Sequence, residues 1–304
     1  MTASKNNTYK KSKQKTVAYV SPKIAMLGVV PALIIILMLS IFPALVNIAM
    51  SLTNYDGAIS KIEFIGFQNY INFFKIYGNY TIPSLLTTFK YMGLVVIPIQ
   101  VLAFLAAILV NQKVKGRNFF RSLFFLPTIL GIAVVATSWK LMFDPIDGPF
   151  AKVLERFGTS SAFLGSENAL VYVSIIALWA GFGYSMVIYV AGLAGIDREL
   201  YEAAEIDGAN KWQIFKSLTL PLMWPVITIC LWISLNGTIH MADFIIFTTK
   251  GQFGTKTFAY YIYESVIENQ VSQGQSAATS IYFTIFVTVI MLLFNKFVRS
   301  KEVY

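Results

Sequence analysis

The sequence predicts an all-α membrane protein that crosses the bilayer six times. Of its 304 residues, 56% are hydrophobic and only 13% are charged, and the mean hydropathy is +0.64. Soluble domains carry about 25% charged residues, so the composition excludes an ordinary globular domain. Six apolar runs are long enough to cross a hydrocarbon layer of about 30 Å as helices. We place these spans at residues 24–50, 88–110, 120–142, 169–194, 220–247 and 277–298.

The polar N-terminus, residues 1–23, contains six lysines and no acidic residue, and we expect it to form a basic cytoplasmic tail. The apolar run at residues 24–50 is longer than a secretory signal core of about 7–15 residues. We therefore interpret it as a first membrane span that is retained in the mature protein.

The distribution of Lys and Arg between the loops predicts the orientation, because basic loops stay on the cytoplasmic side. The turn after the second span holds four basic residues and the C-terminal end three, whereas the alternate loops hold two each. Both termini, including a short tail at residues 299–304, are therefore predicted to be cytoplasmic. The loop at residues 197–221 falls on the same side.

That loop reads as two short helices separated by a break. Asp197 stands where it can cap the first helix by accepting backbone N–H bonds. Gly208 is expected to end this helix, since Gly adopts a left-handed conformation without steric cost. Asn210 stands where it can cap a second helix, and Pro221 is expected to limit that helix before the next apolar run.

The loop also contains a motif with fixed spacing, Glu202-Ala203-Ala204, then Gly208, then Leu218-x-Leu220-Pro221. This motif resembles the EAA loop of integral-membrane permeases of ATP-binding-cassette importers, and its flanks look like the carbohydrate-uptake branch. The resemblance implies the type I permease fold, with this loop as a cytoplasmic coupling helix that docks on an ATPase. Leu218 stands where the family more often has Ile.

The same resemblance implies a set of partners. They are a second permease subunit that completes a heterodimeric pore, two ATPase subunits that bind ATP and Mg, and an extracellular solute-binding protein. Sugar is the implied substrate, and membrane lipid surrounds the spans. The residues that the resemblance assigns to ATPase coupling are Glu202, Ala203, Ala204, Asp207, Gly208, Trp212, Phe215 and Pro221. Within this set, we expect Glu202 to contact the ATPase and Trp212 and Phe215 to pack the loop on the bundle.

The sequence of the loop allows two other interpretations. Two short helices around a Gly also describe a DNA-binding helix-turn-helix, but acidic residues outnumber basic ones here and would repel phosphate. No nucleic-acid partner is therefore expected. The remaining alternative is a surface linker between two spans.

Few residues could perform chemistry. Cys230 is the only cysteine and His240 the only histidine, which excludes a cysteine-based metal cluster. The stretch from Gly251 to Thr257 lacks the spacing of a phosphate-binding loop. We expect no catalytic residue, no metal site and no cofactor bound by this chain.

Polar and aromatic residues in the fourth and fifth spans are candidates for a substrate pathway. In the fifth span, the candidates follow one helical face at spacings of four, four and three: Trp232, Asn236, His240 and Asp243. A buried Asp costs about 2.5–3.5 kcal/mol in a membrane, so His240 and Asp243 are expected to pair. The alternative is that this stripe only seals one helix against another.

In the fourth span the candidates are Trp179 and Tyr184, whose rings can stack on sugars. Gly181 and Gly183 lie between them and permit close helix approach or an irregular turn. Aromatic residues are also common packing and interface residues in membranes, so that interpretation stays open.

The functional prediction is a sugar or oligosaccharide permease subunit in the cell membrane, driven by a separate ATPase. A secondary transporter that uses an ion gradient would also explain six spans and Asp243, but not the spaced motif. A membrane sensor that signals through the loop is a third interpretation. Neither the identity of the sugar nor the role of His240 follows from the sequence.

Overall fold

A computed structural model describes residues 22–57, 62–75, 78–112, 115–267 and 271–299. The described residues form helices joined by turns, and their only β-type pairing is an isolated bridge between Thr53 and Phe64. The predicted all-α class is confirmed. The predicted tails at residues 1–23 and 299–304 lie almost entirely outside the described residues.

The helices follow one another along the chain with short irregular segments between them. In order, they are α1 Pro22–Ile36, α2 Phe42–Ser51, α3 Gln68–Lys75, α4 Gly78–Asn111, α5 Arg117–Ile129, α6 Ile132–Met142, α7 Pro149–Arg156, α8 Ala169–Ala194, α9 Arg198–Ile206, α10 Lys211–Ile214, α11 Leu220–His240, α12 Asp243–Phe247, α13 Phe258–Ile267 and α14 Gln273–Arg299.

Two π-helical turns join consecutive helices without a break, at Leu37–Ile41 between α1 and α2 and at Phe215–Thr219 between α10 and α11. The chain divides into two compact units, Met1–Ala49 and Met50–Tyr304. The first contains α1 and its π-turn, and the second contains the other helices from α3 onwards. The core and the candidate site described below belong to the second unit.

Five stretches of the described chain are long and apolar enough to cross a membrane, and a bent pair of helices makes a sixth. The five are Met26–Ser51, Tyr80–Asn111, Ala169–Ala194, Lys211–His240 and Gln273–Lys296. Helix α8 has the bounds predicted for the fourth span. Helices α4 and α14 begin earlier than the predicted second and sixth spans.

The third span is not the continuous helix that we predicted for residues 120–142. Helices α5 and α6 are bent by 98° at a break between them. Leu130 and Gly131 are both extended there, with ψ of 141° and 137°. Hydropathy does not mark the break, because apolar residues occur on both sides of it.

The fifth span is also shorter at its C-terminal end than predicted. Helix α11 ends at His240, Met241 is extended with ψ of 101°, and Asp243 begins the separate helix α12. The predicted span over residues 220–247 therefore combines one membrane helix with a turn and a second short helix. The apolar residues of α12 extended the hydrophobic run beyond the true helix end.

One cluster of the hydrophobic core is built where α4, α8 and α11 meet. Small residues of α4 such as Ala103 and Ala107 are fully buried and allow close packing with Met186, Tyr189 and Met223. Helix α5 packs on α8 at Gly183, where an added Cβ would lie 2.2 Å from the carbonyl oxygen of Phe124. The predicted close helix approach at the glycines of α8 is confirmed.

The segment between α12 and α13 is held by side chains rather than by regular structure. The Oγ1 atoms of Thr249 and Thr255 are 2.6 Å apart, and the backbone N–H of Phe258 donates to Thr88 Oγ1 at 2.9 Å. Lys256 Nζ lies 2.5 Å from Glu264 Oε2 of α13. These contacts attach the segment to α4 and α13.

The turn between α6 and α7 is organised by one exposed carboxylate. The backbone N–H groups of Asp147 and Ile146 both donate to Asp144 Oδ1 at 2.9 Å. Both bonds stabilise the charged carboxylate and therefore lower the pKa of Asp144. The bond from Asp147 has the larger effect and the bond from Ile146 the smaller. The turn therefore keeps its anchor down to acidic pH.

Candidate functional site

The loop at residues 197–221 forms a helical hairpin. Asp197 occupies the N-cap position of α9, but its side chain makes no capping hydrogen bond, so the predicted capping bond is wrong. The end of α9 is as predicted: Gly208 has φ of +81°. The N–H of Ala209 donates to Ala204 O at 3.0 Å, and that of Gly208 to Glu205 O at 3.1 Å. This pair of bonds is a Schellman motif, which fixes the turn.

The second arm of the hairpin begins with a capping box. Asn210 Oδ1 accepts from the N–H of Gln213 at 2.9 Å, and Gln213 Oε1 accepts from the N–H of Asn210 at 2.7 Å. The helix does not stop at Pro221, contrary to the prediction. Pro221 removes one N–H donor from the helix. The π-turn Phe215–Thr219 lies just before it, and a helix can contain such an irregular turn without ending. Lys211–His240 is therefore continuous.

The hairpin exposes apolar side chains. Ile206 is 86% exposed and Trp212 is 69% exposed. Trp212 stacks on Phe215, with ring centroids 5.6 Å apart, and the ring of Phe215 reaches the bundle, 6.1 Å from the ring of Phe104 of α4. The expectation that Trp212 packs the loop on the bundle is wrong, because Phe215 lies between Trp212 and α4.

The remaining motif residues line or flank a cleft between the arms. Glu202 lies 3.3 Å from Arg198 in an exposed ion pair one turn apart. Ala203 is exposed, and Ala204 and Asp207 line a cleft of about 370 Å³ together with Gly208 and residues of the second arm. Small side chains at these positions keep the cleft open.

A second opening, of about 250 Å³, lies among the membrane helices. Its walls come from α4, α8, α11 and both sides of the break between α5 and α6. Leu130, at the break itself, lines it together with Thr128 of α5 and Ile132 of α6. The lining is largely apolar and includes the hydroxyl-bearing residues Thr128, Tyr184 and Ser234.

Only one of the two aromatic candidates of α8 lies at this cavity. Tyr184 lines it and is 48% exposed. Trp179 does not line it. Its ring packs edge-on against Trp139 of α6, with centroids 5.5 Å apart. Trp179 and Tyr184 are five positions apart in the helix, which turns their side chains to different faces.

The predicted stripe of the fifth span does not line the cavity either. The residues of α11 that do are Ile233, Ser234, Gly237 and Thr238. Trp232 and Asn236 each precede a lining residue by one position, about 100° around the helix, and His240 lies beyond the last lining residue of α11. The ring of His240 instead contacts Phe283 of α14, with centroids 5.6 Å apart.

Asp243 does not pair with His240. The ion pairs of the described residues include Arg198–Glu202 and Lys256–Glu264, and neither involves Asp243 or His240. The predicted spacing assumed that one helix continues from His240 to Asp243, but the helix breaks at Met241. Asp243 therefore lies outside α11 and is exposed at the start of α12.

Sequence reasoning missed a buried polar cluster beside the cavity. Gln100 of α4 is 7% exposed, and its Nε2 donates to Ser234 Oγ at 2.6 Å and to the Cys230 carbonyl at 3.2 Å. The hydroxyl of Tyr189 donates to Gln100 Oε1. A lone Gln in a long apolar run was the available signal, since a polar residue at that depth requires partners.

Comparison with known proteins assigns the chain to a family. A family model described as "Binding-protein-dependent transport system inner membrane component" matches residues 99–302, which is more than half of the chain. The chain belongs to this family. As an inner membrane component of such a system, it is a multi-pass membrane protein, and its hairpin and most of its cavity lie within the matched residues.

Two relatives and one solved structure illustrate the likeness of this inner membrane component. The probable starch degradation products transport system permease protein of Thermoanaerobacterium thermosulfurigenes is 28% identical over 280 residues, covering 91% of this chain and 94% of the relative. The lactose transport system permease protein of Rhizobium radiobacter is 30% identical over 286 residues, covering 91% and 93%.

The solved structure is a bacterial alginate ABC transporter in complex with alginate pentasaccharide-bound periplasmic protein. One of its chains matches with a TM-score of 0.78 at 22% identity, covering 91% of this inner membrane component and 95% of that chain. At this identity the likeness concerns the fold.

Proposed function

We propose that this chain is a permease subunit of an ATP-binding-cassette importer that translocates a sugar or oligosaccharide across the cell membrane. The observation that carries the proposal is the continuous 30-residue helix Lys211–His240, which joins the exposed hairpin to the cavity wall. At a rise of 1.5 Å per residue, this helix is about 45 Å long. A displacement of the hairpin therefore reaches Ser234 and Gly237 through a single element.

The hairpin is proposed to dock on a separate ATPase subunit. It exposes the apolar side chains of Ile206 and Trp212 and also the carboxylate of Glu202, which lies one helical turn before Ile206. A mixed apolar and acidic surface of this kind suits a protein partner. In this arrangement, this chain transmits the movement of the ATPase to the membrane helices. ATP and Mg bind to the two ATPase subunits on the cytoplasmic side, where both termini of this chain also lie.

The partners complete the pathway. A second permease subunit pairs with this one, and an extracellular solute-binding protein delivers the substrate. The fold shared with a transporter crystallised with its periplasmic protein supports this arrangement. When ATP closes the ATPase dimer, the hairpin moves with it and the membrane helices tilt. The cavity then opens to the outside, and hydrolysis resets it.

A carbohydrate is the proposed substrate class. The relatives described above are named for starch degradation products and for lactose. The cavity offers the ring of Tyr184, which can stack on a sugar face, and the hydroxyls of Thr128 and Ser234. A mixture of one aromatic face and several hydroxyls fits a neutral polar solute better than an ion.

The test is uptake by the assembled transporter in proteoliposomes, with maltotriose and lactose as probes. Gly208→Val should abolish ATP-dependent uptake because a β-branched residue resists a φ of +81°. Glu202→Lys should do the same by reversing the docking charge, with little effect on stability, since an exposed ion pair contributes about 0–1 kcal/mol.

The control is Glu202→Asp, which keeps the charge, and both inactive variants must still reach the membrane. Uptake is measured with and without internal ATP at fixed ion gradients. Normal transport by both variants would remove the coupling role. Uptake that follows an ion gradient without ATP would instead establish a secondary transporter.

A further inference from the structure

We propose that Gln100 is a positioning residue that makes the Ser234 hydroxyl a hydrogen-bond donor towards the membrane cavity, so that the cavity selects a ligand with an acceptor oxygen at this point. The inference rests on the proposed function, because it assigns a specificity element to the transport cavity. It is carried by the directions of the hydrogen bonds that converge on Gln100.

The position of Gln100 makes it a junction of three helices. It stands on α4 and contacts Tyr189 of α8 and both Cys230 and Ser234 of α11. Ser234 is the member of this group that also lines the cavity. The group therefore connects the buried core to the cavity wall through one side chain.

The direction of each bond follows from elementary donor and acceptor counts. The Cys230 carbonyl can only accept, so the group 3.2 Å from it must be the NH₂ of the Gln100 amide. The amide oxygen then faces Tyr189, whose hydroxyl must donate to it. The second N–H of the amide donates to Ser234 Oγ at 2.6 Å. Gln100 thus cannot accept the Ser234 proton.

The proton of Ser234 is left available as a result. A serine hydroxyl carries one donor and two acceptor sites, and Gln100 occupies an acceptor site. Within the described chain, Ser234 Oγ makes no hydrogen bond other than the one from Gln100. The Cys230 carbonyl, the usual acceptor one helical turn back, already receives an N–H of Gln100. The hydroxyl is therefore oriented to donate into the cavity.

A neighbouring hydroxyl shows the opposite arrangement. Thr128 also lines the cavity, but its Oγ1 donates to the Ala180 carbonyl at 2.9 Å and so offers only lone pairs to a ligand. Ser234 and Thr128 together present one donor and one acceptor. A hydroxyl or ring oxygen of a sugar satisfies Ser234, whereas a group with donors only, such as an ammonium, does not.

The first experiment measures uptake kinetics of the assembled transporter with maltotriose and lactose as probes. Gln100→Leu and Ser234→Ala should each raise KM by roughly 3- to 10-fold, the loss of one hydrogen bond, while leaving the maximal rate within about twofold. The double variant should be no worse than Ser234→Ala, because both act through one hydroxyl. The control, Ser174→Ala, removes a buried hydroxyl that bonds within α8 and should change nothing.

The second experiment needs no ligand. In a Cys230→Ala background, Ser234→Cys provides the sole thiol, and its S–H stretching band is recorded by infrared spectroscopy with and without Gln100→Leu. Gln100→Leu removes the amide that donates to the backbone carbonyl of residue 230. The thiol of Ser234→Cys should then donate to this carbonyl, and its S–H band should move to lower wavenumber. An unchanged band, or additive effects on KM, would overturn the positioning role. Absence of uptake by the unmodified protein would instead count against the proposed function.

Discussion

Gly183 shows how a single residue sets the distance between two membrane helices. The backbone of α5 approaches α8 so closely at this point that any Cβ would meet the Phe124 carbonyl and the Thr128 side chain. The close approach also allows Thr128 Oγ1 to reach the Ala180 carbonyl. Gly183 thereby holds the end of α5 in place immediately before the break that lines the cavity.

Gly183→Ala should therefore separate α5 from α8. The added Cβ would lie 2.2 Å from a backbone oxygen, and overpacking of this kind costs about 1–3 kcal/mol. The measurement is the thermal unfolding midpoint of the purified protein in detergent. Gly93→Ala is the matched control, since its Cβ would meet nothing within 4 Å, and it should not lower the midpoint, because Ala favours a helix over Gly. Equal midpoints for both variants would contradict this packing.

At the scale of elements, the segment between α12 and α13 depends on a partly buried ion pair. Glu264 has only 10% of its side chain exposed, and Lys256 has 35% exposed. A buried carboxylate without a partner is unfavourable, whereas an apolar pair of similar size is not. Loss of Lys256 is therefore expected to destabilise the protein mainly because it leaves the Glu264 carboxylate buried without a partner. The net attraction between the two side chains contributes less.

Lys256→Met should destabilise the protein by about 1–2 kcal/mol, less than the ~3–5 kcal/mol for a fully buried pair, because solvent screens Lys256. Lys256→Met combined with Glu264→Met should recover most of this loss. A double-mutant cycle of unfolding midpoints checks the result. Strictly additive effects would mean that the two side chains do not interact energetically.

The π-turn Phe215–Thr219 is the element that joins the hairpin to α11. A π-turn contains one residue more than an α-helical turn, and Lys216 within it is exposed. The hydroxyls of Tyr201 and Thr219 lie 3.2 Å apart and tie α9 to this turn. The hairpin is thus held at one defined angle around the helix that leads to the cavity.

Deleting Lys216 should convert the turn to regular α-helix and leave the hairpin in nearly its original orientation, because a π-turn accommodates one extra residue without rotating the helix on either side. We expect ATP-dependent uptake and membrane insertion to be retained, because the docking surface still faces the same direction. The substitution Lys216→Ala keeps the residue count and should also transport normally. Loss of uptake after the deletion, with normal membrane insertion, would show that the π-turn itself is required for coupling.

At the scale of the whole molecule, α8 separates the hairpin from the α6–α7 region. This 26-residue helix is about 39 Å long, enough to cross a bilayer. Ile206 after its C-terminal end and Phe157 before its N-terminal end are 86% and 81% exposed. The two positions should therefore lie on opposite sides of the membrane.

Cysteine labelling checks this topology. In a Cys230→Ala background, Ile206→Cys should react with a membrane-impermeant maleimide only from the cytoplasmic side, and Phe157→Cys only from the extracellular side. Intact cells and inside-out vesicles provide the two sides. Labelling of both positions from the same side would contradict the six-span arrangement and the proposed docking of the hairpin on an ATPase.

The sequence by itself determined the all-α class, the bounds of α8 and the sharp turn at Gly208. These features follow from composition, from a long apolar run and from local backbone preferences, all of which act between residues close in the chain. It also predicted the capping of the second arm by Asn210, which depends on Gln213 three residues later.

Only the tertiary structure decided which faces meet at the cavity. The contacts of Gln100 join α4 to residues of α8 and α11 that are about 90–130 positions away in the sequence. The predicted cavity-facing stripe of α11 contained Asn236, whereas the residue that lines the cavity is Gly237, one position further along the helix. In a lipid environment nearly every face is apolar, so hydropathy alone does not distinguish a packed face from a cavity face.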